Sequence, residues 1–180
     1  MIKDIESILV TEEQINQITT DIAKKINEDY KNSRQLVLIC ILKGSLMFTC
    51  EIMKKLNLPV EIEFMKVSSY GSGTTSSGMI NIHLDLKRED IGDADFIIVE
   101  DIIDSGRTLA HLVRYLEDRG AKSVKTCTLL DKPSRRVVDF VPDYRGMEIP
   151  DKFVVGFGLD YDEKYRNLPY VGILKPEIYS

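Results

Sequence analysis

The chain has 180 residues, 43% of them hydrophobic and 29% charged, and a net charge of −5. That length holds one substantial core and falls short of two, and the composition is that of an ordinary globular domain. The negative balance speaks against a general binder of nucleic acid or acidic membrane, and no apolar run reaches the roughly 20 residues that a bilayer crossing needs.

From the N-terminus, "MIKDIESILV" carries acids where a signal peptide has an unbroken apolar stretch. Thr11 with Gln14 has the pattern of a capping box, opening a helix with Ile15, Ile18, Ile22 and Ile26 on one stripe and an end near Tyr30. "LVLICIL" (36–42) is a continuous apolar run of strand length, as expected for a strand covered on both faces. "KGSLMFTCEIMKKLN" (43–57) then predicts a helix with Leu46, Cys50 and Met53 in register. "VEIEFMKVSSY" (60–70) predicts a strand, "SYGSGTTSSG" (69–78) has almost no apolar content, and "MINIHLDL" (79–86) resumes strand-like alternation.

"EDIGDAD" is a turn-rich connector into "FIIV" (96–99). Leu109, Leu112, Val113 and Leu116 have the spacing of an amphipathic helix, which Gly120 is placed to cap. "SVKTCTLL" (123–130) is the next strand, so residues 96–130 form a β-α-β unit, right-handed and parallel. "KFVVGF" (152–157) and "YVGIL" (170–174) predict further strands. Cys40, Cys50 and Cys127 are scattered in apolar segments, which points to buried free thiols in a reducing, cytoplasmic setting rather than to disulfides or zinc. The whole, residues 1–180, reads as one α/β domain built on a mainly parallel twisted sheet.

The chemistry concentrates in "FIIVEDIIDSGRT". Four apolar residues run into Glu100 and Asp101, a third acid follows at Asp104, and Ser105, Gly106, Arg107 and Thr108 span the turn into the helix. In parallel sheets ligands sit beyond the carboxyl ends of the strands. Backbone N–H groups at a helix start, two hydroxyls and a glycine make a phosphate cradle there. It is neither a Walker A loop nor a G-x-G-x-x-G turn. Adjacent carboxylates accept hydrogen bonds from a vicinal diol and can hold Mg²⁺. A phosphorylated ribose satisfies loop and acids at separate points. The plainer reading of any one acid is a helix N-terminal charge or cap, but it does not account for the full pattern. Leu42-Lys43-Gly44-Ser45 also joins a buried strand to a helix and forms a second anion loop. His83 and His111 have no metal-like spacing, and neither is given a role.

"VEDIIDSGRT" resembles the phosphoribosyl-pyrophosphate (PRPP) motif of type I phosphoribosyltransferases. Together with "LKGS" (42–45), "SSYG" (68–71), "LLDK" (129–132) and "DKFVVGFGLDYDEKYRNLPYVGIL" (151–174), the chain is similar to the 6-oxopurine branch, the hypoxanthine-guanine phosphoribosyltransferases. The resemblance implies the type I fold, a small hood built from the terminal segments, mainly within 151–180, and a mobile lid over about 69–78. It implies a pentosyltransferase of purine salvage, moving phosphoribosyl from PRPP to hypoxanthine or guanine and giving IMP or GMP plus pyrophosphate, with Mg²⁺.

By the same resemblance, Glu100 and Asp101 hold the ribose hydroxyls and the first Mg²⁺, residues 105–108 hold the 5′-phosphate, and Asp104 is the acid or base at purine N7. Lys43, Gly44 and Arg166 receive pyrophosphate across a cis Leu42–Lys43 peptide. Lys132 donates to the purine O6, Phe153 stacks on the ring and the Val154 backbone reads its edge. Asp160 helps bind a second Mg²⁺, and Ser69 and Tyr70 belong to the lid. The rest of "DKPSRR" reads as a solvated basic loop. A homodimer or homotetramer is implied, with no nucleic-acid or membrane partner. Two alternatives stay open: a nucleic-acid-binding regulator on the same fold, and transfer to another base such as xanthine or a pyrimidine.

Overall fold

The apolar runs between the polar turns become strands because each can be covered on both faces. The computed structural model describes residues 1–69 and 80–179. In chain order it contains β1 (Ile5–Val10), α1 (Glu12–Asp29), β2 (Leu36–Ile41), α2 (Leu46–Lys55), β3 (Val60–Ser69) and β4 (Ile80–Leu84). There follow β5 (Asp95–Ile103), α3 (Arg107–Asp118), β6 (Ser123–Asp131), β7 (Tyr144–Glu148), β8 (Val154–Val155), β9 (Val171–Leu174) and α4 (Pro176–Tyr179). Six strands form one sheet in the order β4-β3-β2-β5-β6-β7, parallel except for the edge strand β4. The chain winds outward from β2 to β3, then returns to the other side of β2 and winds through β5, β6 and β7. The order therefore reverses between β2 and β5, which is where an open α/β sheet leaves a crevice for a ligand.

Alternation along the central strands builds two cores. Leu36, Leu38, Ile97 and Val99 face Ile15, Ile22 and Ile26 of α1 and Phe48 and Ile52 of α2. Val37, Ile39, Phe96 and Ile98 face Leu109, Leu112 and Leu116 of α3. The capping box at the start of α1 is complete, with the Gln14 N–H donating to Thr11 Oγ1 at 3.2 Å and the Thr11 N–H to Gln14 Oε1 at 2.9 Å. Gly120, at φ +84°, ends α3 and donates its N–H to the Glu117 carbonyl at 2.9 Å. A second, antiparallel sheet, β1-β9-β8, joins the two ends of the chain. Among the described residues no helix is long and apolar enough to cross a membrane.

Three expectations change. Helix α2 buries Phe48, Thr49 and Ile52 rather than Leu46, Cys50 and Met53, and Leu46 is 44% exposed. This helix is apolar on more than one side, so periodicity alone cannot choose its inward face; the sheet takes the side with the largest ring. Cys50 is accordingly only half-buried, whereas Cys40 and Cys127 are buried, and all three are free. "KFVVGF" shrinks to the two residues of β8, because Gly156 at φ +99° and Phe157 at φ +50° turn the chain out of extended conformation. Finally, β5 runs past "FIIV" to Ile103, carrying Glu100 and Asp101 inside the strand rather than at its exit. Strands β1 and β7 have no counterpart in the sequence reading: "IESILV" buries only Val10 fully, and "YRGME" has no apolar alternation.

Ile97 and Ile98 are neighbours, yet each belongs to a different core. Ile97→Ala and Ile98→Ala should each lower stability by ~2–5 kcal/mol in urea unfolding, the cost of a large-to-small change in a packed interior. A loss from only one of them would contradict a sheet covered on both faces.

Candidate active site

The ladder between β5 and β6 continues to Ile103 opposite Asp131, so the backbone at the acids is still a strand and their side chains alternate. Glu100 points into a cavity of about 390 Å³ that Asp104, Ser105, Gly106, Thr108 and Arg135 also line. Asp101 points the other way, to the β2 side, where a Cβ on Gly44 would fall 1.7 Å from its Oδ2. Gly44 is thus a glycine because the carboxylate occupies the space of its side chain. Asp101 Oδ1 accepts the Ile102 N–H at 2.7 Å.

The two acids are part-buried, with consequences for their charge. Loss of hydration pushes Glu100 up to about 8, and the negative charges of Asp101 and Asp104 add to the shift. Asp101 is pushed up to about 6, again first by loss of hydration, against the opposing help of the Ile102 N–H, its own backbone N–H and the Arg166 cation. The loop after them packs tightly against the segment that follows β6. Gly106 starts α3 at φ +80°, where a Cβ would press to 3.0 Å from Val138 Cγ2 and 3.1 Å from Arg136 Cδ. Ser105 Oγ accepts the Arg107 N–H at 3.3 Å, and the Arg107 side chain is exposed.

A second cavity, of about 410 Å³, opens beside the first and shares Ile102, Asp104 and Arg135 with it. Its far side holds Lys132, Phe153, Val154 and Tyr179. Lys132 is 6% exposed, and its ammonium has no ion-pair partner among the described residues. Asp104 Oδ1 is buried, also without a hydrogen-bond partner among them. A buried cation and a buried carboxylate oxygen are both costly without partners, and both border the same space. Phe153 stacks on Tyr179, with ring centroids 4.6 Å apart.

A third group lies over the turn after β2. The Leu42–Lys43 peptide is cis. Lys43 Nζ meets Glu163 at 2.9 Å, and Arg166 pairs with Asp160 at 2.8 Å and Glu163 at 3.4 Å. Arg166 Nη1 donates to the Gly158 carbonyl at 2.8 Å, while its Nε is buried and unpartnered. Gly158, at φ +100°, lies so close to the Gly44 carbonyl that a Cβ would be 2.0 Å from that oxygen. The residues singled out in the sequence therefore gather in three adjoining places, with Asp101 linking the first to the third. The lid lies outside the described residues from Tyr70 to residue 78, and of Ser69 only its place at the end of β3 is described.

The basic loop "DKPSRR" is not simply solvated. Arg135 borders both cavities, and the Arg136 side chain is 16% exposed and tied to Asp131 and Asp104. Arg135, Arg136 and Tyr179 went unassigned in the sequence. The one signal for the arginines was their position three and four residues after Lys132, and nothing marked Tyr179.

A phosphoribosyl transferase domain model matches residues 7–162 of the chain. The chain belongs to the phosphoribosyltransferase family. It is 51% identical over 178 residues to the hypoxanthine-guanine phosphoribosyltransferase of Lactococcus lactis subsp. lactis, covering 99% of this chain and 96% of that protein. It is 48% identical to the Bacillus subtilis enzyme of the same name, covering 98% and 97%. The crystal structure of a hypoxanthine phosphoribosyltransferase from Staphylococcus aureus superposes with a TM-score of 0.95 at 46% identity, covering 100% and 97%.

A phosphoribosyltransferase site of this kind also bears on metal binding. Among the described residues no group of three or more His, Cys, Asp or Glu side chains is arranged around an ion. Glu100 and Asp101 are carboxylates of the kind that a hard divalent cation such as Mg²⁺ takes beside water and substrate oxygens, and they leave the strand on opposite sides. A cation there would offset the cost of keeping both acids charged out of water.

Glu100 supplies a pH test. Its unfolded form loses its proton near 4.5 and its folded form near 8, so between these values the unfolded chain binds fewer protons and stability falls as pH rises. In metal-free buffer the melting temperature of Glu100→Gln should therefore gain on that of the unsubstituted chain from pH 5 to pH 8. A gap that stays constant would show that Glu100 is not held protonated by the fold.

Proposed function

We propose that the chain transfers the 5-phosphoribosyl group of PRPP to hypoxanthine or guanine, releasing pyrophosphate and forming IMP or GMP. The observation that carries this reading is Asp104, which borders both cavities with a buried, unpartnered Oδ1. One cavity has an anion loop and the other a buried lysine and an aromatic ring, as a nucleotide's phosphate and base require.

In this reading the 5′-phosphate lies on the backbone N–H groups and hydroxyls of Ser105, Gly106, Arg107 and Thr108. Glu100 and Asp101 accept the ribose hydroxyls. The purine rests against Phe153 on the face away from Tyr179, with the Val154 backbone at its edge and the Lys132 ammonium at O6. Purine N9 attacks C1′ while the bond from C1′ to the pyrophosphate oxygen breaks, and the N7 proton passes to Asp104. Lys43, the Gly44 backbone and Arg166 receive the negative charge of the departing pyrophosphate. Glu100 and Asp101, with Asp160 on the pyrophosphate side, would hold Mg²⁺, whose charge helps pyrophosphate to leave.

In the same reading β1, β8 and β9 with the rest of 151–180 form the hood over the base, within a single domain. The free cysteines suit a cytoplasmic enzyme. A homodimer or homotetramer is the assembly we infer for it.

Purified protein given PRPP and Mg²⁺, with each base in turn, should release pyrophosphate with hypoxanthine or guanine and not with a pyrimidine. No release with either purine from folded protein would overturn the reading. Asp104→Asn should lower kcat by ~10²–10⁴-fold, the usual worth of acid–base help, and an unchanged kcat would remove Asp104 from that role.

A further inference from the structure

Three successive carbonyls lead from β5 into the phosphate loop, and all three accept hydrogen bonds from the segment after β6. The Ile103 carbonyl takes the Lys132 N–H at 2.9 Å, and the Ser105 carbonyl takes those of Val137 and Val138 at 3.1 and 3.4 Å. The Asp104 carbonyl between them takes no backbone donor among the described residues. It is held by Nη1 of Arg136. Nη2 of the same guanidinium pairs with Oδ1 of Asp131, and Oδ2 of Asp131 meets Arg145 Nη1 at 3.3 Å. Asp131 is 1% exposed.

In a trans peptide the C=O and N–H point in opposite directions. Holding the Asp104 carbonyl toward Arg136 turns the Ser105 N–H away from the brace, and holding the Ser105 carbonyl does the same for the Gly106 N–H. We infer that Arg136, clamped by Asp131, is a positioning residue for the transfer. It fixes the Asp104–Ser105 peptide so that the Ser105 N–H meets the 5′-phosphate and the Asp104 carboxylate stays at the junction of the two cavities. The task needs arginine, because its planar fork donates to a carboxylate and a carbonyl at once, and a lysine ammonium does not hold that geometry.

This inference rests on the reading in which residues 105–108 bind phosphate. Arg145 is a built-in control: it shares Asp131, its side chain is 47% exposed, and among the described residues it makes no bond to the loop. Arg136→Lys, Asp131→Asn, Arg145→Ala and Thr108→Val would be made in the full chain, with PRPP and purine varied separately and thermal unfolding recorded. Arg136→Lys and Asp131→Asn should lose ~10–10²-fold in kcat/KM for PRPP, the scale of an ångström-sized displacement in a positioned site. Their KM for the purine should stay near the unsubstituted value. Arg145→Ala should lower the melting temperature with kcat/KM for PRPP retained. If Asp131→Asn does not fold, Arg136→Lys decides alone. The inference is overturned if Arg136→Lys keeps kcat/KM for PRPP, or if Arg136→Lys and Arg145→Ala depress both substrates alike in step with melting. Thr108→Val separates the two levels. A raised KM for PRPP there, beside an unaffected Arg136→Lys, removes only the positioning role; an unchanged KM there removes the phosphate-loop reading and the inference with it.

Discussion

Strand β5 has to meet two demands with one backbone. It is a central strand, hydrogen-bonded to β2 on one side and β6 on the other, and its ladder with β6 runs on to Ile103. Its last residues must also present acids to a ligand. Alternation reconciles the two: while the backbone stays paired, Glu100 goes to the phosphate-side cavity and Asp101 to the β2 side. The reversal of strand order between β2 and β5 supplies the crevice that makes both directions useful. The close approach of Gly44 to Asp101, and of Gly158 to Gly44, then stacks the C-terminal segment with Arg166 over the same crevice.

The electrostatics follow from this placement. Three carboxylates and an anion loop in one turn would repel a simple anion. Separated along a strand and its loop, they suit the ligand proposed here, with a phosphate at one end and hydroxyls and metal at the other. The raised pKa values of Glu100 and Asp101 show what the arrangement costs the ligand-free chain. In the proposed reading that cost goes with differential binding, since groups that are poorly satisfied alone would be satisfied by substrate and cation.

Much of the fold could be read from the chain because each central element has an unambiguous local pattern. β2 is apolar throughout and buried throughout, and α3 has one apolar stripe and buries it. Where the pattern was ambiguous the reading slipped. α2 is apolar on two sides, and only the packing of Phe48 against the sheet chooses between them. β1 and β7 draw their stability from pairing with β9 and β6, which no local alternation announces. The site behaves likewise. Glu100 to Thr108 stood out in the sequence because strand, acids and loop are contiguous, and Lys43, Lys132, Phe153, Asp160 and Arg166 only through the family resemblance; the structure brings them to adjoining places. Arg136 and Tyr179 were not assigned, since what marks them is tertiary contact with Asp131, Asp104 and Phe153.

A crystal structure of the chain with IMP bound tests the division of labour along β5 most directly. The account predicts phosphate oxygens about 2.7–3.2 Å from the backbone N–H groups of Ser105 and Gly106, the normal range for such bonds. It also places the purine between Lys132 and Phe153 with N7 at the Asp104 carboxylate. A phosphate seated on Lys43 and Arg166, or a base lying outside the Lys132–Phe153 cavity, would contradict it.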